Sequence, residues 1–492
     1  MTTTLERRSD RAEPDDGMGR APAPSSPSGP MVGTATALVV VLAGALMGAQ
    51  PLRDNSFLTH LATGRLMMAE GLPTVDPYSA TAAGQPWVVQ SWLASLLYGT
   101  VDALAGPVGL RVLMAATTAL LAWLVWRLAD PATSLVPRLA IVAAAMGIGL
   151  EAWVERPLLF GLIGTALALL AAEGRIDHRW MVPLFWLWAN VHGSFPLGLV
   201  VVLTWWFGTR WSGRPADGPR RVVIWSGVGA LTAAISPVGP RILIFPVQLL
   251  ARSETLSNIT EWQSPDFATT PARLFLLLAA GAVVVLARRP DRRDTLMTVL
   301  ALGLGLMAMR NLAVASIILV PVVARGVGQV GTMRVDTRSP MLRVAMAAVA
   351  VFGVLALSST LQRSSFALSA YPVRAVAWLE DQDLVGQRQA VIASRDYVGN
   401  LQTLLYGPDA GVFIDDRYDM YPTDLTEDYV DLLRGAGWTD VLDRRGVDIV
   451  LWDRGHQLAE LVAASPDWGV VFTEDRWIVA CRRPAPDQPA VC

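Results

Sequence analysis

The sequence predicts a polytopic α-helical membrane bundle followed by a small C-terminal α/β domain. Hydrophobic residues make up 53% of the 492 residues and the mean hydropathy is +0.41, too apolar for an ordinary soluble protein of this size. The apolar residues come in blocks of membrane-spanning length, with the charged residues confined to the gaps. After Ser358 the pattern changes to short strands that alternate with helices.

About eleven transmembrane helices are predicted from the apolar blocks. Several blocks are shorter than the roughly 20 residues that a span requires, so only their centres are well defined. The first is interpreted as a retained helix because its leader is long and no small-x-small cleavage site follows it. The predicted spans are Met31–Gln50, Val108–Trp126, Leu139–Val154, Leu158–Ala172, Met181–Val191, Phe195–Phe207, Val222–Ser236, Ala272–Ala287, Leu296–Met309, Leu312–Ala324 and Leu342–Ser358.

Arginine placement predicts the orientation of the bundle. The chain has no lysine, so all 40 basic residues are arginines, and they concentrate in alternate loops. The positive-inside rule then places the N-terminus in the cytoplasm and the C-terminal domain outside the inner (plasma) membrane. Residues 1–30 are predicted to be a disordered cytoplasmic tail, 31–360 the membrane domain, 361–485 the extracytoplasmic domain and 486–492 a tail.

The stretch from Pro51 to Leu104 is predicted to be one long outer loop. Its apolar segment Ser91–Leu104 is short and interrupted by Asp102, and counting it as a span would invert every later loop. We therefore interpret it as a helix lying in the outer membrane interface. Long loops of this kind are usually functional or disordered, and the density of Trp, Tyr, His and acidic residues favours function.

The C-terminal domain is predicted to contain a partly parallel sheet. Predicted strands are Gln389–Ser394, Val412–Asp415, Val447–Trp452, Trp468–Thr473 and Trp477–Cys481, and predicted helices are Asn400–Tyr406, Glu427–Arg434 and Leu458–Ala464. Polar residues from Phe413 to Asp419 follow a predicted strand end, where α/β sheets often carry sites. The alternative is a salt-bridged turn. Cys481 and Cys492 are either a disulfide or two free thiols, and four histidines make a multi-histidine metal centre improbable.

Polar residues cluster at the predicted outer ends of the spans, in five separate parts of the chain. Ionisable groups at membrane depth cost about 2.5–3.5 kcal/mol each, so their presence requires a reason. The clusters comprise Arg53, Asp54, His60, Arg65 and Asp76; Glu151, Glu155 and Arg156; Asn190 and His192; Glu261 and Asp266; and Arg310 and Asn311. Glu151 and Glu155 are spaced to share one helical face. Together the clusters predict a partly hydrated cavity open to the outer side.

The residue types in these clusters suit a lipid-linked phosphate substrate. Carboxylates act as general bases or hold a divalent cation such as Mg²⁺ or Mn²⁺, arginines bind phosphate through a fork of N–H groups, and histidines donate to phosphate or carry protons. Each residue also has a structural alternative. The acids can pair with neighbouring arginines, Asn190 and His192 can satisfy a helix end, and Arg310 can anchor its helix at the interface.

Seven motifs in chain order resemble the GT-C superfamily of polytopic glycosyltransferases, especially bacterial members with an RgtA/B/C/D-like or ArnT/PMT-like core. They are Asp54–Arg65, Pro73–Ser79, Gly84–Leu93, Arg156–Pro157, Trp188–Gly193, Glu261–Phe267 and Phe413–Asp419. The resemblance implies an outer active site, a polyprenyl-phosphate-linked sugar donor and a catalytic acid at Asp54. Many members carry paired acids there, whereas Asn55 follows Asp54 here, which weakens a metal-ligand role.

The resulting hypothesis is transfer of a sugar to a cell-envelope glycan, lipid or protein. It assigns catalysis to Asp54 and His60. It assigns substrate binding to Arg65, Glu155, Arg156, Asn190, His192, Glu261, Asp266 and Arg310, and it assigns no metal ligand. Two alternatives stay open, a lipid flippase and a non-catalytic envelope assembly protein. The almost complete lack of ionisable groups inside the predicted spans argues against ion-coupled transport. Nothing in the sequence suggests a nucleic-acid partner.

Overall fold

The protein is a membrane protein, mostly helical, with one small sheet near its C-terminus. A computed structural model describes residues 30–251, 260–327, 340–386, 390–484 and 492. Among these residues, four helices are long and apolar enough to cross a membrane, and three shorter helices are also apolar. The total of about eleven spans stays a prediction. The predicted disordered tail lies outside the described residues except for Pro30.

Each predicted span overlaps one described helix, and most ends differ by a few residues, although Val108–Trp126 corresponds only to the second part of a longer helix. The helices of the membrane domain are α1 (Pro30–Gly48), α2 (Asn55–Glu70), α3 (Trp92–Leu128), α4 (Leu135–Ile148), α5 (Leu158–Ala172), α6 (Met181–Val191), α7 (Phe195–Trp211), α8 (Asp217–Thr232), α9 (Arg241–Ala251), α10 (Thr270–Arg288), α11 (Arg292–Met307), α12 (Leu312–Val327) and α13 (Pro340–Leu361). The sequence did not predict α9, which contains Pro246.

The segment after α4 differs from its prediction. The helix ends at Ile148 and a single 3₁₀ turn, Gly149–Glu151, follows it, whereas the span was expected to continue to Val154. Glu151 and Glu155 therefore do not share a helical face. Glu151 is exposed, while Glu155 is buried. The prediction was wrong because a run of apolar residues does not reveal where a helix gives way to a turn.

The predicted interfacial helix Ser91–Leu104 and the following span are joined in α3. The junction is Gly106, whose backbone is not helical at φ 61° and ψ −165°, and Pro107 follows it. A positive φ is readily adopted only by glycine, and proline cannot donate to the preceding turn. The two parts of α3 therefore meet at a kink, which allows them to run in different directions.

Helix α2 packs closely against the first part of α3. A Cβ atom at Gly64 would lie 1.9 Å from the carbonyl oxygen of Ser95, and one at Gly99 would lie 2.5 Å from the carbonyl carbon of Gly64. Only glycine permits this backbone approach. Because the side chain of Asp54 caps the N-terminus of α2, this crossing also fixes the position of Asp54.

The C-terminal domain contains a four-stranded mixed sheet with strand order β1-β2-β4-β3. Its elements are α14 (Val373–Asp381), β1 (Ile392–Ser394), α15 (Asp396–Tyr406), α16 (Thr423–Arg434), α17 (Trp438–Arg444), β2 (Ile449–Asp453), α18 (Gln457–Ala464), β3 (Trp468–Glu474) and β4 (Trp477–Arg482). Strands β1 and β2 are parallel and the other pairs are antiparallel, as a partly parallel sheet requires. Cys481 and Cys492 form a disulfide, which decides between the two alternatives.

The segment predicted as strand Val412–Asp415 is instead part of the contact between the two domains. Val412 makes only isolated bridges, one to Ile392 in β1 and one to Ser79 in the segment between α2 and α3. Its amide donates to the carbonyl of Tyr78 at 3.0 Å, and its own carbonyl accepts from the amide of Ala80 at 2.9 Å. The segment has the apolar residues of a strand, but the backbone hydrogen bonds of Val412 are made with Tyr78 and Ala80 of the membrane domain.

A buried ion cluster joins the domains at the same place. The Arg417 guanidinium donates to Asp76, between α2 and α3, and to Asp415, in each case with an N–O distance of 2.7 Å. Both carboxylate side chains are 0% exposed. The guanidinium lies 4.9 Å from the ring centre of Tyr78 and 4.6 Å from that of Trp87. The salt-bridged turn considered as an alternative is therefore present, and one of its partners is across the domain junction.

Candidate active site at the domain junction

Arg156 is the centre of the polar cluster at the N-terminal end of α2. Its guanidinium pairs with the carboxylates of Asp54 and Glu261, and it lies 3.3 Å from the amide oxygen of Asn55. Burial lowers the pKa of Arg156, but the charges of Asp54 and Glu261 raise it further, so the net shift is upward. Three of the five predicted clusters therefore meet in one network.

Glu155 holds the backbone that carries Asp54. Its carboxylate accepts hydrogen bonds from the backbone amides of Arg53 and Asp54, the latter at 2.6 Å. Burial raises the pKa of both Glu155 and Asp54, while Arg156 opposes the shift at Asp54. Because the Glu155 carboxylate accepts from these backbone amides, its role in this arrangement is to hold Asp54 in position.

Two histidines, His60 and His192, lie close enough to Arg156 for its charge to lower their pKa values. His60 Nδ1 is 2.9 Å from the Ser95 hydroxyl, and burial followed by the charge of Arg156 lowers its pKa to about 4. His192 Nδ1 accepts from the backbone amide of Ser194 at 3.1 Å. Burial, followed by the charge of Arg310, lowers its pKa to about 3. His192 is therefore neutral, with its proton on Nε2 as a hydrogen-bond donor.

Arg310 supplies the second cation of the site. It lies in the turn before α12, with its guanidinium 4.4 Å from the ring centre of Trp262. The Met309 amide donates to the carbonyl of Gln263 at 2.9 Å, which attaches this turn to the loop that carries Glu261. Within the described residues Arg310 forms no salt bridge, so its N–H groups are available to an anion.

Asp416 is a further carboxylate of the site that we did not single out from the sequence. It follows the domain-contact segment, and the Ser56 hydroxyl hydrogen-bonds to it. Its backbone amide donates to Asn400 at 3.3 Å, and Asn400 accepts from Thr59 of α2 at 2.8 Å. Burial, followed by the charge of Asp415, raises the pKa of Asp416 to about 8. The only sequence signal was its place within the polar run Phe413–Asp419.

We expect Asp416→Asn to stabilise the protein at alkaline pH. The native pKa of about 8 lies above the roughly 3.9 of an unfolded aspartate, so wild-type stability falls as the pH rises towards 8. The variant avoids this loss, which has a slope of at most about 1.4 kcal/mol per pH unit. Thermal unfolding from pH 5 to 9 measures it, with exposed Asp409→Asn as the control. An advantage that does not grow with pH would contradict the expectation.

Three of the predicted substrate-binding residues lie apart from this cluster. Arg65 is eleven residues after Asp54, about 16 Å along the helix, and it pairs with Asp102 at 2.8 Å. Asp266 is exposed and accepts from the backbone amide of Ala268 at 2.8 Å. Asn190 is 0% exposed and is hydrogen-bonded to Trp92 and to the carbonyl of Trp186, both at 2.7 Å. These contacts are an ion pair between two helices, a hydrogen bond within a turn and hydrogen bonds of a buried amide, and they stabilise the chain around the site.

An apolar cavity of about 430 Å³ lies next to the cluster at Arg53 and Glu155. It lies between α1, α3 and the segment after α4, and Arg53 and Glu155 form its polar end. Met47, Met114 and Trp153 are among its apolar lining residues. A cavity with apolar walls and one polar end matches an amphipathic molecule that has an apolar tail and a polar head.

The described residues contain no group of three or more His, Cys, Asp or Glu side chains arranged to hold a metal ion. The carboxylates of the cluster are engaged by Arg156, by backbone amides or by Ser56. We assign no metal ligand, and dependence on Mg²⁺ or Mn²⁺ stays a prediction.

Two solved structures share the architecture of the chain. Arabinofuranosyltransferase AftD from mycobacteria aligns over 94% of this chain with a TM-score of 0.51 and 15% identity. The archaeal oligosaccharyltransferase AglB from Archaeoglobus fulgidus, solved with an inhibitory peptide and a dolichol-phosphate, aligns over 87% with a TM-score of 0.52 and 9% identity. This chain spans 40% of the AftD chain and 70% of the AglB chain. No protein-family model matches the sequence, and no curated protein is detectably similar to it.

Proposed function

Because the chain has the fold of the GT-C membrane glycosyltransferases, we propose that it transfers a sugar from a polyprenyl-phosphate donor to an acceptor of the cell envelope. The reaction takes place at the outer face of the inner membrane, in the cluster around Arg156. The observation that carries the proposal is the gathering of Asp54, Arg156, Glu261, Arg310 and Asp416 at one domain junction. These residues come from five separate parts of the chain.

The acceptor is activated by the pair of carboxylates formed by Asp54 and Asp416. Burial, followed by the charge of Asp415, raises the pKa of Asp416 to about 8, and the charge of Asp54 adds a smaller contribution. A carboxylate with a pKa near the working pH is an effective general base. The acceptor hydroxyl gives its proton to this pair while its oxygen bonds to the anomeric carbon of the sugar. Arg156 keeps Asp54 oriented, and His60, neutral at this pH, contacts the sugar or acceptor.

The leaving group is stabilised by Arg310 and His192. As the bond between the anomeric carbon and the phosphate oxygen breaks, its electron pair remains on the polyprenyl phosphate. The Arg310 guanidinium donates to the phosphate oxygens with charge-assisted hydrogen bonds, and the Nε2 proton of His192 adds a neutral donor. The apolar cavity beside Glu155 accommodates the first part of the polyprenyl chain.

We expect Arg310→Ala to weaken donor binding. A hydrogen bond to a charged group contributes about 1.5–3 kcal/mol, which corresponds to a KM for the donor about 10-fold to 100-fold higher. The assay supplies the purified full-length protein in nanodiscs with a panel of radiolabelled polyprenyl-phosphate hexoses and pentoses and with envelope extract as acceptor. It measures labelled product and released polyprenyl phosphate.

Arg273→Ala is the matched control, because Arg273 is an exposed arginine at the start of α10. Its kinetics should equal those of the wild type. If the wild type transfers sugar and Arg310→Ala leaves the KM for the donor unchanged, then Arg310 is not part of the donor site. Lipid translocation without transfer of any sugar in the panel would favour the flippase alternative.

A further inference from the structure

A second, larger cavity of about 1140 Å³ lies at the opposite end of the bundle from the candidate active site. Helix α5 begins two residues after Arg156, and its last residues, with Glu173, line this cavity. Helix α12 begins two residues after Arg310, and Arg325 in its last turn also lines it. Helices of 15 and 16 residues separate the two sites by about 22–24 Å. We call this second site the arginine cavity.

The charges around the arginine cavity do not balance. Asp130 pairs with Arg127, Arg138 and Arg175; Glu173 pairs with Arg175 and Arg325; and Asp294 pairs with Arg293 and Arg325. Five arginines thus share three carboxylates in this network of described residues. Two positive charges are left without a carboxylate of their own. At the rim, Arg214 pairs with Asp291, and the Asp177 carboxylate lies 3.5 Å from His178. Over the network and the rim together, six arginines face five carboxylates, so one positive charge remains in excess.

The arginines are held in place and partly removed from water. Trp205 lies beneath two of them, with its ring centre 4.4 Å from the Arg293 guanidinium and 5.3 Å from that of Arg325. Burial, followed by the charge of Arg325, lowers the pKa of Arg293. Confining like charges in this way is unfavourable, and an anion bound between them would relieve the repulsion.

One part of the wall of the arginine cavity is apolar. Ala171, Ala172, Ile176 and Val222 face the same space as the arginines. The volume slightly exceeds the roughly 300–1,000 Å³ of ordinary small-molecule sites. A free phosphate ion would leave most of this space unfilled, whereas a lipid head group with the first carbons of its acyl chains would use both kinds of surface. Basic pockets between membrane helices bind anionic lipid head groups by this chemistry.

We propose that the arginine cavity binds the phosphate head group of an anionic membrane lipid from the leaflet opposite the candidate active site. The lipid phosphate lies between Arg293 and Arg214, and its acyl chains follow the apolar wall into the bilayer. This site is independent of the proposed sugar transfer.

The test uses the delipidated full-length protein in neutral detergent, titrated with phosphatidylglycerol and followed by native mass spectrometry. We expect one phosphatidylglycerol molecule to be retained by the wild type. The double variant Arg214→Gln/Arg293→Gln should bind it about 25-fold more weakly, because each arginine near an anionic lipid contributes about fivefold. Both acids keep partners in this variant, since Asp294 still pairs with Arg325 and Asp291 still caps α11.

Arg220→Gln provides the matched control, because it removes the same charge from an exposed position in the first turns of α8. Its affinity should equal that of the wild type. Equal retention of phosphatidylglycerol by the wild type and the double variant would overturn the proposal, as would retention of zwitterionic phosphatidylcholine to the same extent. If millimolar inorganic phosphate displaces the lipid, the proposal of a lipid ligand would be overturned, and the cavity would instead bind a soluble phosphate.

Discussion

Replacing Arg156 with glutamine is expected to reduce sugar transfer at least about 100-fold, the lower end of the effect of a positioned acid–base group. Arg156 is the only described arginine that pairs with both Asp54 and Glu261. Without it, the buried Asp54 carboxylate loses its compensating charge, so its pKa rises further and it takes up a proton. The measurement is kcat and KM for transfer at pH 7, and the loss should be mainly in kcat.

A double variant separates this loss of function from misfolding. Arg156→Gln/Asp54→Asn has no unpaired charge at Asp54, so it should regain the thermal stability of the wild type while remaining inactive. Arg65→Gln is the matched control, because Arg65 of α2 pairs with Asp102 of α3 and lies outside the cluster. Substantial transfer by Arg156→Gln would show that the network around Arg156 serves only to hold the fold.

Replacing Arg417 with methionine is expected to destabilise the junction of the two domains by about 3–5 kcal/mol, the usual cost of removing one partner of a buried ion pair. The side chains of Asp76 and Asp415 are both 0% exposed, so neither can be solvated without opening the junction. Hydrogen exchange should increase at the amides of Ala80 and Val412, which bond across the junction. Thermal unfolding measures the total loss.

The control for Arg417 is Arg482→Met, which breaks an Arg–Asp pair at the domain surface, where the Asp443 side chain is 63% exposed. A surface pair contributes about 0–1 kcal/mol, so this variant should melt close to the wild type. The triple variant Arg417→Met/Asp76→Asn/Asp415→Asn should recover part of the lost stability, because it leaves no buried charge. Equal melting of Arg417→Met and Arg482→Met would contradict a structural role for the buried cluster.

The sequence indicated which residue types lie at the candidate site, but not which of them would lie close together. Placement at helix ends identified Asp54, Arg156, Glu261, His192 and Arg310, because ionisable groups at the edge of an apolar block are conspicuous. The same criterion also selected Arg65, Asp266 and Asn190. Arg65 forms an ion pair with Asp102, Asp266 accepts a hydrogen bond within a turn, and Asn190 accepts one from Trp92 of a neighbouring helix. Spacing along a chain does not reveal which polar groups are already satisfied by neighbours.

Asp416 could not be selected from the sequence because its environment is created by another domain. Its neighbours Ser56 and Asn400 are separated in the sequence by more than 300 residues, and they meet only because α2 packs against α15. The segment Val412–Asp415 was misassigned for a related reason. Its apolar character was correctly recognised, but its backbone hydrogen-bonds to the segment between α2 and α3 and makes only an isolated bridge to the sheet.

By itself, the sequence determined that this protein is a membrane bundle with a C-terminal α/β domain, because apolar blocks and strand–helix alternation are local consequences of burial. Only the tertiary structure decided the kink at Gly106, the disulfide between Cys481 and Cys492, the pairing of Arg156 with two acids and the presence of Asp416 at the junction. These features depend on contacts between distant segments. Their energies depend on burial and on distances between charges, which arise only once the helices have packed.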